Sequence, residues 1–331
     1  MIWIDTRRAL MPVVGLAIAI GACSGGSGTP TAAPPVAASP TAAAVLTPTA
    51  TPAPTILPSA LPTLTGRITF IRVDASTGNW ATFVVNADGS GERRLLPGRG
   101  ECPTWSPDGK SILLVIDDPN PDRITMAIVS ADGSNVRVLE NTDATLNLGC
   151  GQWSPDGSHV ALEGWDDRHP ARNGIYTVRT ADGGGLVRVT SSPGGGHDIP
   201  RLYSPDGTQI VFTRETDTLY IVPAVGGPTS PLTGHDGSGW PPDARNILSD
   251  GPRGYFRLVP VDGGSIRTIR IQWSDGGLLD SFGYSWSPSG ERIVFSAGTT
   301  HNDVYTMLAD GSDVRQLTDD PADEEASSWI E

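Results

Sequence analysis

The chain has 331 residues, of which 38% are hydrophobic and 6% aromatic, and its formal net charge is −14. Asp5, Arg7 and Arg8 are the only charged side chains of residues 1–65, so the rest of the chain carries −15. This charge argues against nucleic acid or an anionic lipid surface as the main partner. The 40 glycines and 29 prolines, with no long helical period, predict many short strands joined by turns.

The first segment, residues 1–22, has the pattern of a bacterial secretion signal. Arg7 and Arg8 precede an apolar run that is too short to span a membrane comfortably. The residues before Cys23, Ile-Gly-Ala, resemble a lipobox, which implies cleavage before Cys23 and acylation of that cysteine. An ordinary signal peptide with an incidental cysteine is the alternative. The sequence leaves export by the Sec or the twin-arginine route open.

The second segment has a different composition. Residues 24–64 contain no charged side chain and hold 9 Pro, 10 Ala and 8 Thr among 41 positions. Such a segment cannot bury a core, and its prolines favour a semi-rigid spacer reaching on the order of 100 Å. We therefore predict a disordered Pro/Thr/Ala-rich stalk over residues 23–65. A lipid on Cys23 would then provide the membrane link without a spanning helix.

The remaining chain contains a repeated turn motif. WSPDG occurs at Trp105–Gly109 and Trp153–Gly157, and YSPDG occurs at Tyr203–Gly207. Ser, Pro, Asp and Gly in this order favour a type I turn, and a β-forming run follows each copy. Weaker copies extend the series of aromatic residues to six, at Trp105, Trp153, Tyr203, Trp240, Trp286 and Trp329. Their spacings of 48, 50, 37, 46 and 43 residues are typical of propeller blades.

A second series of turns gives the same count independently. Six hairpin-type turns, most of them Asp-Gly, begin at residues 86, 130, 180, 223, 260 and 308. Each lies between two strand-like runs, so each repeat supplies four strands. Residues 67–96 provide three strands only, and Glu324–Ile330 provides a single aromatic strand. We therefore predict an all-β, six-bladed β-propeller with four-stranded blades, closed by the C-terminal strand in blade one.

Repeats of the form x-W-S-P-D-G-x-x-I-x-F, followed by an I-Y strand, a D-G turn and R-x-L-T, resemble the TolB-type β-propeller repeat. The resemblance covers residues 66–331, which we treat as one TolB-like propeller domain. The same repeat occurs in TolB and in the propellers of prolyl-oligopeptidase-like enzymes, so the resemblance implies a fold more than an activity. The SPDG and Trp positions are expected to build turns and blade contacts.

The sequence lacks the usual catalytic motifs. It contains no G-x-S-x-G elbow, no H-E-x-x-H, no C-x-x-C pair and no phosphate-binding glycine pattern. We therefore predict no catalytic residue, and peptidase activity of the oligopeptidase kind is not expected. Four of the five histidines instead fall in loops that share one face of the ring, at His169, His197, His235 and His301.

The channel mouth on this face is the predicted binding site. His197-Asp198 and His235-Asp236 enter the inner strands of successive blades. Paired His and carboxylate can hold a divalent cation or a cationic ligand, which makes His197, Asp198 and His235 candidate metal ligands. An ordinary solvated acidic loop surface is the alternative. The predicted mouth consists of Glu101, His197, Asp198, His235, Asp236, Asp280 and Glu325.

Cys102 and Cys150 each stand three residues before a blade tryptophan, in adjacent blades. Equivalent positions of a rotor point the same way around the ring, which works against a disulfide. Inner strands converge near the axis, however, and a bridge needs Cα atoms within about 7 Å. In an oxidising compartment, a disulfide and a pair of buried thiols are both open.

Two functions remain on these observations. The favoured one is a binding or scaffold module, monomeric and lipid-anchored in the bacterial cell envelope, facing the periplasm or the exterior. Its partner would be a protein, peptide or glycan that is cationic or bridged by a cation. The alternative is a metal-dependent lyase or hydrolase with its site in the channel mouth, as in propeller lyases that act on acidic oligosaccharides. A divalent cation is the only cofactor that the mouth suggests. The fold by itself does not decide between the two functions.

Overall fold

The computed structural model describes residues 64–331 except 118–123, 141–142, 144, 215–217, 236 and 240–244, and no side chains within 233–239. The predicted signal peptide, Cys23 and the predicted stalk up to residue 63 therefore lie outside the described residues, as do Asp236, Trp240 and the side chain of His235. Within the described residues, no helix is long and apolar enough to cross a membrane.

Strands in the described part of the chain form six antiparallel sheets of four strands each, which are the blades. The strands of each blade are named from the innermost to the outermost. Blade 1 consists of Glu324–Ile330, Arg67–Val73, Trp80–Asn86 and Arg93–Arg94. Blade 2 consists of Gly100–Trp105, Ser111–Ile116, Thr125–Ser130 and Val136–Val138. Blade 3 consists of Asn147–Trp153, His159–Trp165, Gly174–Arg179 and Val187–Arg188.

The remaining blades follow the same order. Blade 4 consists of Asp198–Tyr203, Gln209–Arg214, Thr218–Pro223 and Ser230–His235. Blade 5 consists of Gly237–Gly239, Asn246–Asp250, Tyr255–Pro260 and Arg267–Arg270. Blade 6 consists of Ser281–Trp286, Arg292–Gly298, Asn302–Leu308 and Arg315–Gln316. Short 3-10 turns occur at Pro170–Arg172 and Pro193–Gly195.

The C-terminal strand closes the ring, which confirms the predicted architecture. Glu324–Ile330 pairs antiparallel with Arg67–Val73, with Trp329 opposite Ile68. Inner strands of successive blades contact one another around the ring. Because each blade is covered on both faces by its neighbours, second strands such as Ser111–Ile116 are buried along their whole central run.

The SPDG sequences form turns that are stabilised by hydrogen bonds from their own side chains. The Ser106 hydroxyl donates a hydrogen bond to Asp108 Oδ1 at 2.7 Å, and the Gly109 N–H donates to the Ser106 carbonyl at 2.9 Å. Trp105 before the turn is 6% exposed, with the Arg67 guanidinium 4.5 Å from its ring centroid. These residues are engaged within the fold, so the motif is structural.

The Asp-Gly turns also join neighbouring blades. Gly133 and Gly311 have φ angles of +81° and +86°, and a Cβ on either would overlap a backbone carbonyl of the preceding blade. The carbonyl belongs to Leu95 in the first case and to Arg270 in the second. Gly263 occupies the same turn position in blade 5 with φ +80°, but nothing lies within 4 Å of its Cβ position. Close packing between blades therefore requires glycine at the first two positions.

Candidate functional site

The candidate site lies on the face opposite the SPDG and Asp-Gly turns, which we call the upper face. Loops between blades and loops from second to third strands meet there. The carboxylates predicted for the mouth lie among these elements, yet several have arginine partners. Arg99 Nε and Nη2 donate to the two oxygens of Glu101 at 2.7 and 2.9 Å. Arg253 lies 3.2 Å from Asp280, and both side chains are exposed.

The structure places the predicted mouth residue Asp198 in the protein interior. Its side chain is fully buried at the start of the inner strand of blade 4. Arg214 donates to both carboxylate oxygens, at 2.6 and 2.8 Å, and the Thr190 hydroxyl donates to Oδ2 at 2.6 Å. The buried carboxylate of Asp198 is thus already paired with an arginine and a threonine of the protein itself.

The same arrangement recurs in blade 1, on the opposite side of the six-bladed ring. Glu324 begins the inner strand and is fully buried, and Arg72 Nε donates to its Oε1 at 2.5 Å. The Thr318 hydroxyl donates to the other carboxylate oxygen. In both places a threonine follows the outer strand of one blade and donates a hydrogen bond to an acid of the next blade. That acid also accepts a hydrogen bond from an arginine of its own blade. We call each set an interblade clamp.

The clamps were not predicted from the sequence, although their residues are visible in it. Each needs an acid at the first position of an inner strand, an arginine near the end of the second strand, and a threonine just after the preceding outer strand. Thr318 ends an R-x-L-T sequence and Thr190 ends the related Arg-Val-Thr, but only the fold brings each threonine beside its acid. Glu325, the next residue along, lies partly buried opposite Ile71 in the closing strand.

His197 is the predicted mouth residue whose position best suits binding. Its Nδ1 lies 2.6 Å from Oε1 of Glu163, whose side chain is 1% exposed, whereas the His197 side chain is 43% exposed. The Trp165 ring lies 6.1 Å away between centroids. The hydrogen bond to Glu163 raises the pKa of His197, with partial burial opposing it. A buried carboxylate thus fixes the orientation of an accessible imidazole.

Glu163 was missed from the sequence, although a signal existed. It is a charged residue within HVALEGW, a strand that is otherwise apolar and buried. Burying a carboxylate costs free energy unless a charged or hydrogen-bonding partner is present. A lone acid in such a strand therefore indicates a partner nearby, which the fold supplies from the loop entering blade 4.

The loop from the second to the third strand of blade 3 lies beside His197 and is internally ordered. Asp166, 1% exposed, accepts hydrogen bonds from the backbone N–H of Arg168 and of His169, each at 3.0 Å. It also accepts from Arg172 Nη1 at 2.7 Å. Asn173 Oδ1 accepts from the Asp166 N–H, and Asn173 Nδ2 donates to the loop that enters blade 4. The side chains of Arg168 and His169 are exposed, and His169 Nδ1 lies 3.3 Å from Asp166 Oδ2.

No group of three or more His, Cys, Asp or Glu residues in the described part of the chain is arranged to hold a metal ion. Of the candidate metal ligands, Asp198 is occupied by Arg214, and the His235 side chain lies outside the described residues. His197 remains as one imidazole oriented by a carboxylate, an arrangement that also orients metal-bound histidines.

Cys102 and Cys150 form a disulfide between the inner strands of blades 2 and 3, with Cα atoms 5.5 Å apart. Both inner strands are irregular at this level, between Glu101 and Thr104 in blade 2 and between Leu148 and Gly151 in blade 3. Cys102 has a φ of 52°, unusual for a residue other than glycine. These bulges turn equivalent rotor positions toward each other, which a regular strand would not do.

The fold is that of a TolB-like six-bladed β-propeller. TolB from Acinetobacter baumannii superposes with a TM-score of 0.62, at 18% identity, over 80% of this chain and 67% of that one. A putative TolB from Agrobacterium tumefaciens gives 0.56 at 21% identity, over 80% and 98%. An oligogalacturonate lyase in complex with manganese gives 0.50 at 14% identity, over 76% and 73%.

No known family model matches the chain. An uncharacterized protein of Agrobacterium fabrum is 27% identical over 215 residues, which are 59% of this chain and 64% of the relative. Tol-Pal system protein TolB of Anaeromyxobacter dehalogenans is 35% identical over 91 residues, 27% of this chain and 20% of the relative. The matches thus span less than two thirds of each of these relatives.

Proposed function

We propose that the chain is a binding module of the bacterial cell envelope that engages a protein, a peptide or a glycan through the upper face of its propeller. The main observation in support is the rigid blade 3 loop, in which Asp166 orders the backbone while Arg168 and His169 stay exposed beside His197. Exposed side chains held by a pre-organised frame lose little entropy on binding. The opposite face, by contrast, carries the SPDG and Asp-Gly turns, which are short and similar from blade to blade.

A protein is the partner class that we favour. One relative is named as a protein of the Tol-Pal system, a name that describes a component of a protein assembly. The net charge of −14 favours a partner with cationic groups. The arginines beside Glu101 and Asp280 reduce the field at the mouth, so attraction would depend on local contacts more than on the whole acidic ring.

Site-specific photo-crosslinking tests which face binds. A benzoylphenylalanine at Arg168 on the upper face is expected to give a discrete crosslinked partner in the producing cells. The same probe at Lys110, exposed on an SPDG turn, is the matched control and should give none. Combining His197→Ala with His235→Ala should weaken the crosslink at 168 in a protein that still folds, although loss of the Glu163 partner should lower its melting temperature. Crosslinks at 110 alone would contradict the proposal.

The location in the envelope is a separate part of the proposal. Residues 1–22 are the proposed signal peptide, and Cys23 is the proposed site of lipidation, with residues 23–65 as the stalk. In cells, Cys23→Ser is expected to move the protein from the membrane fraction to a soluble exported fraction. Ser24→Ala is the matched control and should stay with the membrane. Equal membrane association of both variants would argue against the anchor.

A metal-dependent lyase or hydrolase is the second candidate. It is favoured by the Glu163–His197 pair and by the similar fold of the manganese-bound oligogalacturonate lyase. Purified protein loaded with Mn²⁺ and dialysed would retain stoichiometric metal if this candidate is correct, and His197→Ala would lose it. Metal content at background level in both proteins would exclude a resident manganese site at His197.

A further inference from the structure

A second group of side chains that could bind a ligand lies between blades 5 and 6. Its walls are two aromatic side chains, Tyr305 in the third strand of blade 6 and Trp273 in the loop that leaves blade 5. Their ring centroids are 5.1 Å apart in an edge-to-face arrangement, and both residues are partly exposed. With Asp303, His301 and Asp319 they form what we call the Asp303 pocket.

The floor of this pocket is a buried carboxylate. Asp303 is 6% exposed, and its Oδ2 accepts a hydrogen bond from Gln316 Nε2 at 2.9 Å, with His301 Nε2 3.7 Å away. Its Oδ1 is buried and has no hydrogen-bond partner among the described residues. Burial raises the pKa of Asp303, and the charge of Asp319 raises it further, although His301 and the Asp320 backbone N–H act in the opposite direction.

Other buried acids of the upper face differ in this respect. Asp198 has Arg214, and Glu324 has Arg72. In the part of the chain that the structure describes, no arginine or lysine reaches the carboxylate of Asp303. A buried carboxylate with one unpaired oxygen is costly, and a cation from outside the chain would relieve that cost.

The surroundings distinguish between kinds of cation. A divalent metal needs several oxygen or nitrogen ligands at close distance, and no group of three such residues is arranged for one among the described residues. Aromatic rings beside a carboxylate suit an organic ammonium group, because the ring faces attract a cation and the carboxylate accepts its N–H. Burial raises the pKa of Tyr305, and the negative charges of Asp303 and Asp319 raise it further.

We propose that the Asp303 pocket binds the side-chain ammonium group of a lysine, with Asp303 as the acceptor, Asp319 as a second charge, and Tyr305 and Trp273 as the walls. The inference that this lysine belongs to a protein partner rests on the proposed protein-binding function. The ammonium chemistry rests on the pocket alone.

A titration with a small lysine analogue tests the pocket directly. Nα-acetyl-lysine methylamide is added at about pH 8, where histidine is ordinarily neutral. The signal is the His301 Cε1–H resonance, assigned with His301→Gln in a separate sample. We expect a saturable shift, and no shift with the norleucine analogue, which has similar length but no charge. The same protein titrated with Mg²⁺ should give no saturable shift.

Substitutions test whether the shift of the His301 resonance depends on the Asp303 carboxylate. Asp303→Asn should weaken binding by about tenfold or more, because it removes the charged acceptor. Asp319→Asn should weaken it less, and Asp275→Asn, an exposed acid in the Trp273 loop, should leave it unchanged. If Asp303→Asn alters the melting temperature, the affinities of Asp319→Asn and Tyr305→Phe for the lysine analogue are compared with that of the unmodified protein instead. Equal affinity in all variants, or a response to Mg²⁺ but not to lysine, would overturn the proposal.

Failure of this inference can be told apart from failure of the proposed function. The titration uses a free amine and needs no partner, whereas the crosslinking at Arg168 probes a different part of the upper face. A negative titration with positive crosslinking removes the pocket and leaves the binding module. The reverse result leaves an ammonium site without a partner at blade 3.

Discussion

Individual side chains on the upper face have two different tasks, and Glu163 and Asp198 illustrate them. Both are almost completely buried acids, and both have a cationic partner. The partner of Asp198 is itself 13% exposed, so that pair belongs to the protein interior. The partner of Glu163 is a histidine with 43% exposure, so that pair reaches solvent. Exposure of the partner therefore separates a pair that is enclosed in the protein from a pair that reaches solvent.

The Glu163–His197 pair predicts a specific pH dependence. Glu163→Gln should lower the pKa of His197 toward its ordinary value of 6.5, because the charged acceptor is lost. The folded pKa of His197 is raised, so the pair stabilises the fold fully below 6.5 and this contribution is lost as pH rises through the folded pKa. NMR titration of the His197 ring measures the pKa directly.

The control for this titration is Glu140→Gln, an exposed acid at the end of the outer strand of blade 2. It should leave the His197 titration unchanged. Chemical denaturation between about pH 5.5 and pH 8 should show a smaller change in stability for Glu163→Gln than for the unmodified protein. A His197 pKa that Glu163→Gln leaves in place would mean that another group raises it.

The interblade clamp predicts that Asp198 matters for stability. Asp198→Asn leaves the Arg214 guanidinium buried with a weaker acceptor, and breaking a buried pair costs about 3–5 kcal/mol. Glu101→Gln disrupts a pair whose side chains are both partly exposed, and the loss there should be at most about 1 kcal/mol. Urea unfolding followed by fluorescence compares the two. Similar midpoints for both variants would show that the clamp contributes little.

At the scale of turns and strands, the Asp-Gly turns predict unequal effects of one substitution. Gly133→Ala and Gly263→Ala both place Ala at a φ near +80°, which costs about 1 kcal/mol of backbone strain. Only Gly133→Ala also overlaps the Leu95 carbonyl, so it should cost roughly 1–3 kcal/mol more. Thermal unfolding of the two variants measures the difference. Equal melting temperatures would mean that blade 2 shifts to accommodate the methyl group at no cost.

For the whole molecule, closure of the ring predicts the effect of removing its last strand. Truncation after Pro321 removes the inner strand of blade 1, the packing of Trp329 and the Glu324 side of a clamp. It also leaves the Arg67–Val73 strand with an unpaired edge, which favours aggregation. We expect aggregated or strongly destabilised protein by size-exclusion chromatography and thermal unfolding.

Removing Glu331 alone is the matched control, because that residue is exposed and lies outside the strand. This variant should elute and melt like the full chain. If truncation after Pro321 also left elution and melting unchanged, the C-terminal strand would contribute nothing to closure.

The candidate site could be predicted from the sequence only in part. His197 was identified from its loop, because loop lengths and strand order are sufficient to assign a residue to one face of a propeller. Asp198, its neighbour in the chain, received the same role, although the structure places it in the interior with Arg214. His197 lies just before the strand and is half-exposed, whereas Asp198 is the first residue of the strand and is buried.

The sequence by itself determined the number of blades, the four strands in each blade and the closure of the ring. All of these follow from local signals that repeat, namely SPDG and Asp-Gly turns between strand-forming runs. The tertiary structure alone decided which charges meet: Glu163 with His197, Glu324 with Arg72, and Asp303 with no arginine or lysine of the described residues. Turn formation depends on neighbours in the chain, whereas the partner of a buried charge comes from another strand or blade and is set by how the blades pack.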